Sequence, residues 1–176
     1  KKIGIFGDYD VDGATSTALL GKYLNILKQS YEIYIPDRKS EGYGPSIAGF
    51  KKLIEKKVNL IITVDCGTLS FEAIEFANSK NIDVIVLDHH QSEITLPKAF
   101  SIINPNRIDD NSDLNYLCAA GVCFMTLVSI NSQLRKSNWF VLNNLKETEK
   151  ALNEVAEVLS KNEFADEIAK TEKENI

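Results

Sequence analysis

The stretch Asn59-Leu60-Ile61-Ile62-Thr63-Val64-Asp65-Cys66-Gly67 decides the fold. Its apolar residues run without alternation, as in a strand buried on both faces, and it stops abruptly at an acid and a glycine. The same grammar occurs twice more. Lys2-Ile3-Gly4-Ile5-Phe6-Gly7 leads into Asp8-Tyr9-Asp10-Val11-Asp12-Gly13, and Asp83-Val84-Ile85-Val86-Leu87 leads into Asp88-His89-His90. Short Ile/Val runs alternate with longer amphipathic segments. The pattern predicts strands over about 2–7, 31–35, 59–64, 83–87 and 100–103, and helices over about 14–29, 45–57, 70–80 and 118–135. Such alternation implies right-handed crossovers and a doubly wound α/β fold with a mostly parallel sheet of about five strands, flanked by helices and followed by a helical C-terminal tail. Ligands of these folds lie outside the carboxyl ends of the strands, where all three acidic stations fall.

The 176 residues, 44% of them hydrophobic, are enough for one domain with a real core. The expected division is a body over 1–144 and a Glu/Lys-rich tail over 145–176, whose Leu145, Leu152, Val155, Leu159, Phe164 and Ile168 form an apolar helical stripe. No run approaches the ~18 apolar residues of a membrane span, and no secretory signal is evident, so no membrane partner is expected and a cytoplasmic location is. Cys66, Cys118 and Cys123 lack paired spacing and are expected to be reduced, mostly buried thiols. A chain opening on Lys1 with a strand directly behind it suggests a piece of a longer protein. Net charge is −5, but the tail carries nine acids and five bases, leaving the body near neutral. The body's charge therefore argues neither for nor against nucleic acid.

Three strand ends carrying carboxylates and both histidines of the chain would repel unless cations held them ionised. Asp8, Asp10 and Asp12 alternate, so in an extended strand end they would share a face. An Asp-rich turn is the plain alternative, and an EF-hand is excluded by the missing preceding helix and terminal Glu. Asp65 could be only a helix cap. Imidazole with carboxylate suits Mn²⁺, Zn²⁺ or Fe²⁺, and carboxylate-rich sets favour Mn²⁺ or Mg²⁺. Two ions about 3.5–4 Å apart would activate water and hold a phosphoryl oxygen, with Asp65 on the middle station as the natural bridge. Arg38 and Lys39 could meet a phosphate.

The residues Gly7-Asp8-Tyr9-Asp10-Val11-Asp12-Gly13-Ala14-Thr15-Ser16, Arg38 with Glu41-Gly42-Tyr43-Gly44, Thr63-Val64-Asp65-Cys66-Gly67, Leu87-Asp88-His89-His90, Ile103-Asn104-Pro105-Asn106 and Ala120-Gly121-Val122 resemble, in order, motifs of the DHH phosphoesterase superfamily. They most resemble its RecJ branch of single-strand-specific 5′→3′ DNA exonucleases. The resemblance implies metal-dependent hydrolysis of single-stranded DNA or short oligonucleotides in repair and recombination, with a two-metal Mn²⁺ or Mg²⁺ site. It implies Asp10 on one ion, Asp12 and His89 on the other, Asp65 bridging, and Asp8 as a further donor. His90 would face the scissile phosphate, Asp88 would orient His89 or the loop, and Arg38 would contact a 5′-phosphate. For an enzyme of this kind Tyr9, Tyr43, Gly44, Trp139 and Arg107 are the candidates for gripping the single strand. Small-molecule members carry His where this chain has Phe6. The family's further metal-binding Asp has no counterpart in the tail, and the C-terminal substrate-binding domains are not in this sequence, so the piece is expected to fold and bind metal but to cleave poorly. The alternatives are a phosphoesterase for short oligonucleotides or nucleotides, and a non-catalytic interaction module.

Overall fold

The computed structural model describes residues 1–160. Five strands, β1 (Ile3–Gly7), β2 (Tyr31–Tyr34), β3 (Leu60–Val64), β4 (Asp83–Leu87) and β5 (Ser101–Ile103), form one all-parallel sheet in the order β2-β1-β3-β4-β5. Helices α1 (Val11–Ile26), α2 (Ile47–Glu55) and α3 (Phe71–Ser79) connect the first four strands. Helix α4 (Ala119–Lys136) follows a loop after β5, and α5 (Trp139–Leu142) and α6 (Lys146–Ser160) complete the chain's described part. Two compact units divide at Leu127/Val128. The positions Phe164 and Ile168 of the expected tail stripe lie outside the described residues.

The register explains the unbroken apolar runs. Ile5 of β1 pairs with Ile62 of β3, while Gly4 and Phe6 on the opposite face pair with Ile61 and Thr63. On one face Phe6, Ile61, Val84 and Val86 join Phe50 and Leu53 of α2 and Ile74 and Ala77 of α3 in a single buried cluster. Phe6 meets Phe50 edge-on, ring centroids 5.6 Å apart. On the other face α1 comes so near that a Cβ at Gly7 would sit 2.1 Å from Thr17 Oγ1. Both faces are thus covered, as the continuous Ile/Val runs require. The order of connection along the sheet reverses between β1 and β3, which makes their adjacent carboxyl ends the crevice of the sheet.

Boundaries differ from the sequence expectation where caps decide them. Helix α1 begins three residues earlier than expected because Asp10 is its N-cap, its side chain accepting from Gly13 N, and the chain leaves it through a left-handed Lys28 (φ 55°). Helix α2 starts after Ser46, as expected, with Ser46 Oγ accepting from Gly49 N at 3.0 Å. Ser46→Ala is expected to cost about 1 kcal/mol, read as a lowered urea midpoint without a change in slope. The short α5 was not foreseen. Cys66 and Cys123 are buried free thiols, the latter pushed up to about 12 by burial. Cys118 corrects the expectation of burial, since it lies exposed in the loop before α4. Among the described residues no helix is long and apolar enough to cross a membrane.

Candidate metal centre

Asp8, directly beyond β1, is buried and its Oδ1 accepts from Tyr9 N at 2.8 Å. Burial first, and the neighbouring Asp10 charge, push its carboxyl up. Asp10 Oδ1 accepts from Gly13 N at 2.8 Å, and this bond outweighs desolvation and holds Asp10 below the usual carboxylate range. The three aspartates do not alternate along an extended strand. Helix α1 starts at Val11, so Asp12 lies in its first turn and points elsewhere. Its carboxylate accepts from Ala119 N at 2.7 Å and Ala120 N at 2.9 Å, the unsatisfied donors at the positive end of α4. Its Oδ2 is also 3.6 Å from His89 Nε2.

Asp65 is the strained member. Its φ of 62° places a non-glycine residue in the left-handed region, and it is 1% exposed. Its Oδ1 is buried without a hydrogen bond, 3.3 Å from His89 Nε2 and 4.0 Å from His90 Nδ1. Burial, then the charges of Asp12 and Asp10, push its carboxyl up to about 8. A buried, unpaired, like-charged oxygen on a strained backbone is costly unless a cation satisfies it. Donor atoms of Asp65, His89 and His90 lie within 4.8 Å of one another, and so do those of Asp8, Asp10 and Asp65. Asp65 belongs to both groups. The carboxylate and imidazole donors suit Mn²⁺, and Mg²⁺ suits the carboxylate-only group.

Asp88 serves the other histidine from the one expected. Its Oδ1 is 2.7 Å from His90 Nδ1, and it meets His89 only through that residue's backbone N at 2.8 Å. The reason is the turn after β4, which brings the His90 ring back over the strand end while His89 reaches toward Asp65 and Asp12. Burial alone would raise Asp88, but the bonds from His90 and Thr68 outweigh it and hold the carboxyl well below its usual range. The same bond to Asp88 raises His90. Thr68 was not read from the sequence, and Asn104 and Asn106 stood there only within a motif, without a role. Thr68 N donates to Asp88 Oδ2 at 3.0 Å, Asn104 Nδ2 donates to the His90 carbonyl at 2.8 Å, and Asn106 Nδ2 donates to the His89 carbonyl. The polar Asn104-Pro105-Asn106 step directly after an apolar strand was the available signal.

At the rim, Arg38 lies over the Tyr9 ring, 5.2 Å from its centroid. Tyr43 sits between Gly42 (φ 78°) and Gly44 (φ 79°), and its hydroxyl donates to the Asp65 carbonyl at 3.1 Å beside the His90 ring. Gly44 offers backbone only. Arg107, expected on the substrate path, is engaged within its own loop. Its Nε and Nη2 bind Asp109 at 2.9 and 2.6 Å and its Nη1 binds the Ile102 carbonyl at 2.8 Å, because the turn after β5 folds the guanidinium back on its own loop. Trp139 packs edge-on against Phe140 in the second unit.

The description "DHH family, N-terminal domain" matches residues 2–159. The chain is 41% identical over 141 residues to the single-stranded-DNA-specific exonuclease RecJ of Haemophilus influenzae, covering 80% of this chain and 24% of that protein. It is 39% identical over 159 residues to RecJ of Escherichia coli, covering 90% of this chain and 27% of that protein. Among solved structures, an exonuclease RecJ bound to manganese matches with a TM-score of 0.69 at 33% identity, over 76% of this chain and 34% of that one. RecJ from Thermus thermophilus in complex with Mn²⁺ matches with a TM-score of 0.63 at 29% identity, over 76% of this chain and 18% of that one. The chain thus spans about a quarter of the length of the curated relatives named here. With motif order, fold and family description in agreement over the same residues, the chain belongs to the DHH family and carries that family's N-terminal domain.

Proposed function

We propose that residues 1–144 are the catalytic portion of a metal-dependent phosphodiesterase that removes nucleotides from the 5′ end of single-stranded DNA, serving repair and recombination, with 145–176 as an appended tail. The observation that carries this reading is Asp65, strained and buried, whose Oδ1 has no hydrogen bond and which belongs to both donor groups. RecJ relatives whose names state single-stranded-DNA specificity support the substrate, and the manganese in the matching structure supports Mn²⁺ or Mg²⁺ as cofactor.

In this reading Asp8, Asp10, Asp12, Asp65 and His89 would hold the metal ions, Asp65 belonging to both donor groups. Such ions lower the pKa of water and draw charge from a phosphoryl oxygen. The protein's own residues set the geometry. Gly13 N fixes Asp10, the start of α4 fixes Asp12, and Asp88 holds the His90 ring toward the position a scissile phosphate would take. Arg38 on Tyr9 offers a cation with an aromatic face at the mouth, suited to a terminal phosphate and its base. Tyr43 stands beside the His90 ring with its hydroxyl on the Asp65 carbonyl.

The test is release of nucleotides from 5′-phosphorylated single-stranded DNA with Mn²⁺. Slow, metal-dependent release that is abolished by Asp65→Asn and by His90→Ala is expected, while cleavage that persists in EDTA or in the Asp65 variant would overturn the reading. Asp88→Ala is expected to weaken Mn²⁺ binding by about 10–100-fold, since Asp88 accepts from the backbone N of His89 and of His90 and so holds the turn that carries the His89 ligand, whereas loss of Asp65 removes binding altogether. Isothermal titration with Mn²⁺ reads the order, and the reverse order would refute these roles.

A further inference from the structure

We infer that the Asn104-Pro105-Asn106 turn at the end of β5 is a positioning clamp for the two histidines. The inference rests on the proposed metal site for one of its two readouts. Each histidine carbonyl is held by a different asparagine of this turn, His90 O by Asn104 Nδ2 at 2.8 Å and His89 O by Asn106 Nδ2. Asn104 is 3% exposed and fully partnered. Its amide nitrogen also donates to Thr68 Oγ1 at 2.9 Å, and its oxygen accepts from Asn106 N at 2.8 Å. Pro105 supplies a fixed φ between them and has no N–H to compete for that oxygen.

The chemistry of the partners selects an amide. Two acceptors face the nitrogen and one donor faces the oxygen, so a carboxylate of the same shape would set an anion against the His90 carbonyl. The contacts also close on themselves. Asn104 binds Thr68, Thr68 N binds Asp88 Oδ2, Asp88 Oδ1 holds His90 Nδ1, and His90 O returns to Asn104. Strand β5 is tied to the same corner by Asp88 N donating to Ile103 O at 3.1 Å. The histidine pair lies beyond the last ladder bonds of β4, so its backbone direction, and through it the aim of both rings, is set by this turn. A small displacement of such supports is enough to degrade a site built on ångström-scale placement.

The chain contains two histidines, so its imidazole spectrum is simple to read. Asn106→Ala, Asn104→Ala and Asn104→Asp are to be compared with Asn78→Ala, which removes a matched amide-to-carbonyl bond to Lys98 O, 2.8 Å long, far along the sheet. The clamp variants are expected to shift or broaden the imidazole ¹H–¹⁵N signals in the absence of metal and to raise the Kd for Mn²⁺ by about 10–100-fold. Asn78→Ala is expected to change neither. Should the buried Asn104 variants fail to fold, the half-buried Asn106→Ala decides. A folded Asn106→Ala chain with the unaltered chain's imidazole spectrum and Mn²⁺ affinity would overturn the clamp. If the unaltered chain takes no Mn²⁺, the metal reading fails, while the imidazole spectra still decide the clamp for or against.

Discussion

Asp65→Asn is expected to stabilise the metal-free chain at alkaline pH and, in the same protein, to abolish stabilisation by Mn²⁺. The side chains are isosteric, and Asn tolerates the left-handed φ of 62° found here. The Asp65 carboxyl is pushed from an ordinary 3.8 to about 8, first by burial and then by Asp12 and Asp10. A raised folded-state value means that its contribution is fully present below the unfolded value near 4 and is lost as pH rises through about 8. At pH 9 the ionised carboxylate therefore burdens the metal-free fold by something on the order of 5 kcal/mol, which the amide removes. Below pH 4 the two chains should melt together. Asp8 and His90 are also raised; Asp8 titrates in both chains, whereas His90 owes part of its shift to the Asp65 charge and loses that part in the variant. Mn²⁺ at a hundred times its Kd should return about 2.7 kcal/mol to the unaltered chain and nothing to the variant. Equal melting curves at pH 9, or an Asp65→Asn chain still stabilised by Mn²⁺, would contradict this account.

Gly13→Ala is expected to be the most damaging small substitution near the site. A Cβ there would stand 2.6 Å from Asp8 Cβ, 2.7 Å from Asp8 O and 2.8 Å from Asp8 C, mostly backbone that cannot swing aside. Alanine's better helix propensity returns about 1 kcal/mol, less than the strain of forcing α1 off the end of β1. The net loss should be about 2–3 kcal/mol in urea unfolding. Because Gly13 N also fixes Asp10, Mn²⁺ binding should weaken in the same variant. Gly42→Ala is the contrast: nothing lies within 4 Å of its would-be Cβ, and only its φ of 78° opposes the change, at about 1 kcal/mol. An unchanged urea midpoint for Gly13→Ala would show that β1 and α1 meet more loosely than the structure has them.

The strands were legible because parallel strands covered on both faces must be apolar throughout, as in Leu60–Val64, and because each of the three central ones ends on an acid. That also located Asp65, His89 and His90 at one sheet edge. A period of two in Asp8, Asp10 and Asp12 could not reveal where the strand gives way to a helix. The cap on Gly13 moved that boundary and turned Asp12 toward α4. Whether Asp88 pairs with His89 or His90 depends on a turn whose path follows from long-range bonds to Thr68, Asn104 and Asn106, residues 14 to 20 positions away from their partners. The engagement of Arg107 has the converse origin, its partner Asp109 being local and equally legible in the same loop.

Diffraction from crystals of this chain soaked in Mn²⁺, with anomalous difference maps, tests the central claim most directly. A manganese peak at about 2.0–2.3 Å from Asp65 Oδ1, with His89 or Asp10 as a second ligand, is the predicted result. Manganese confined to the exposed Asp109–Asp110 loop, or an Asp65 carboxylate left without an ion at saturating Mn²⁺, would contradict it.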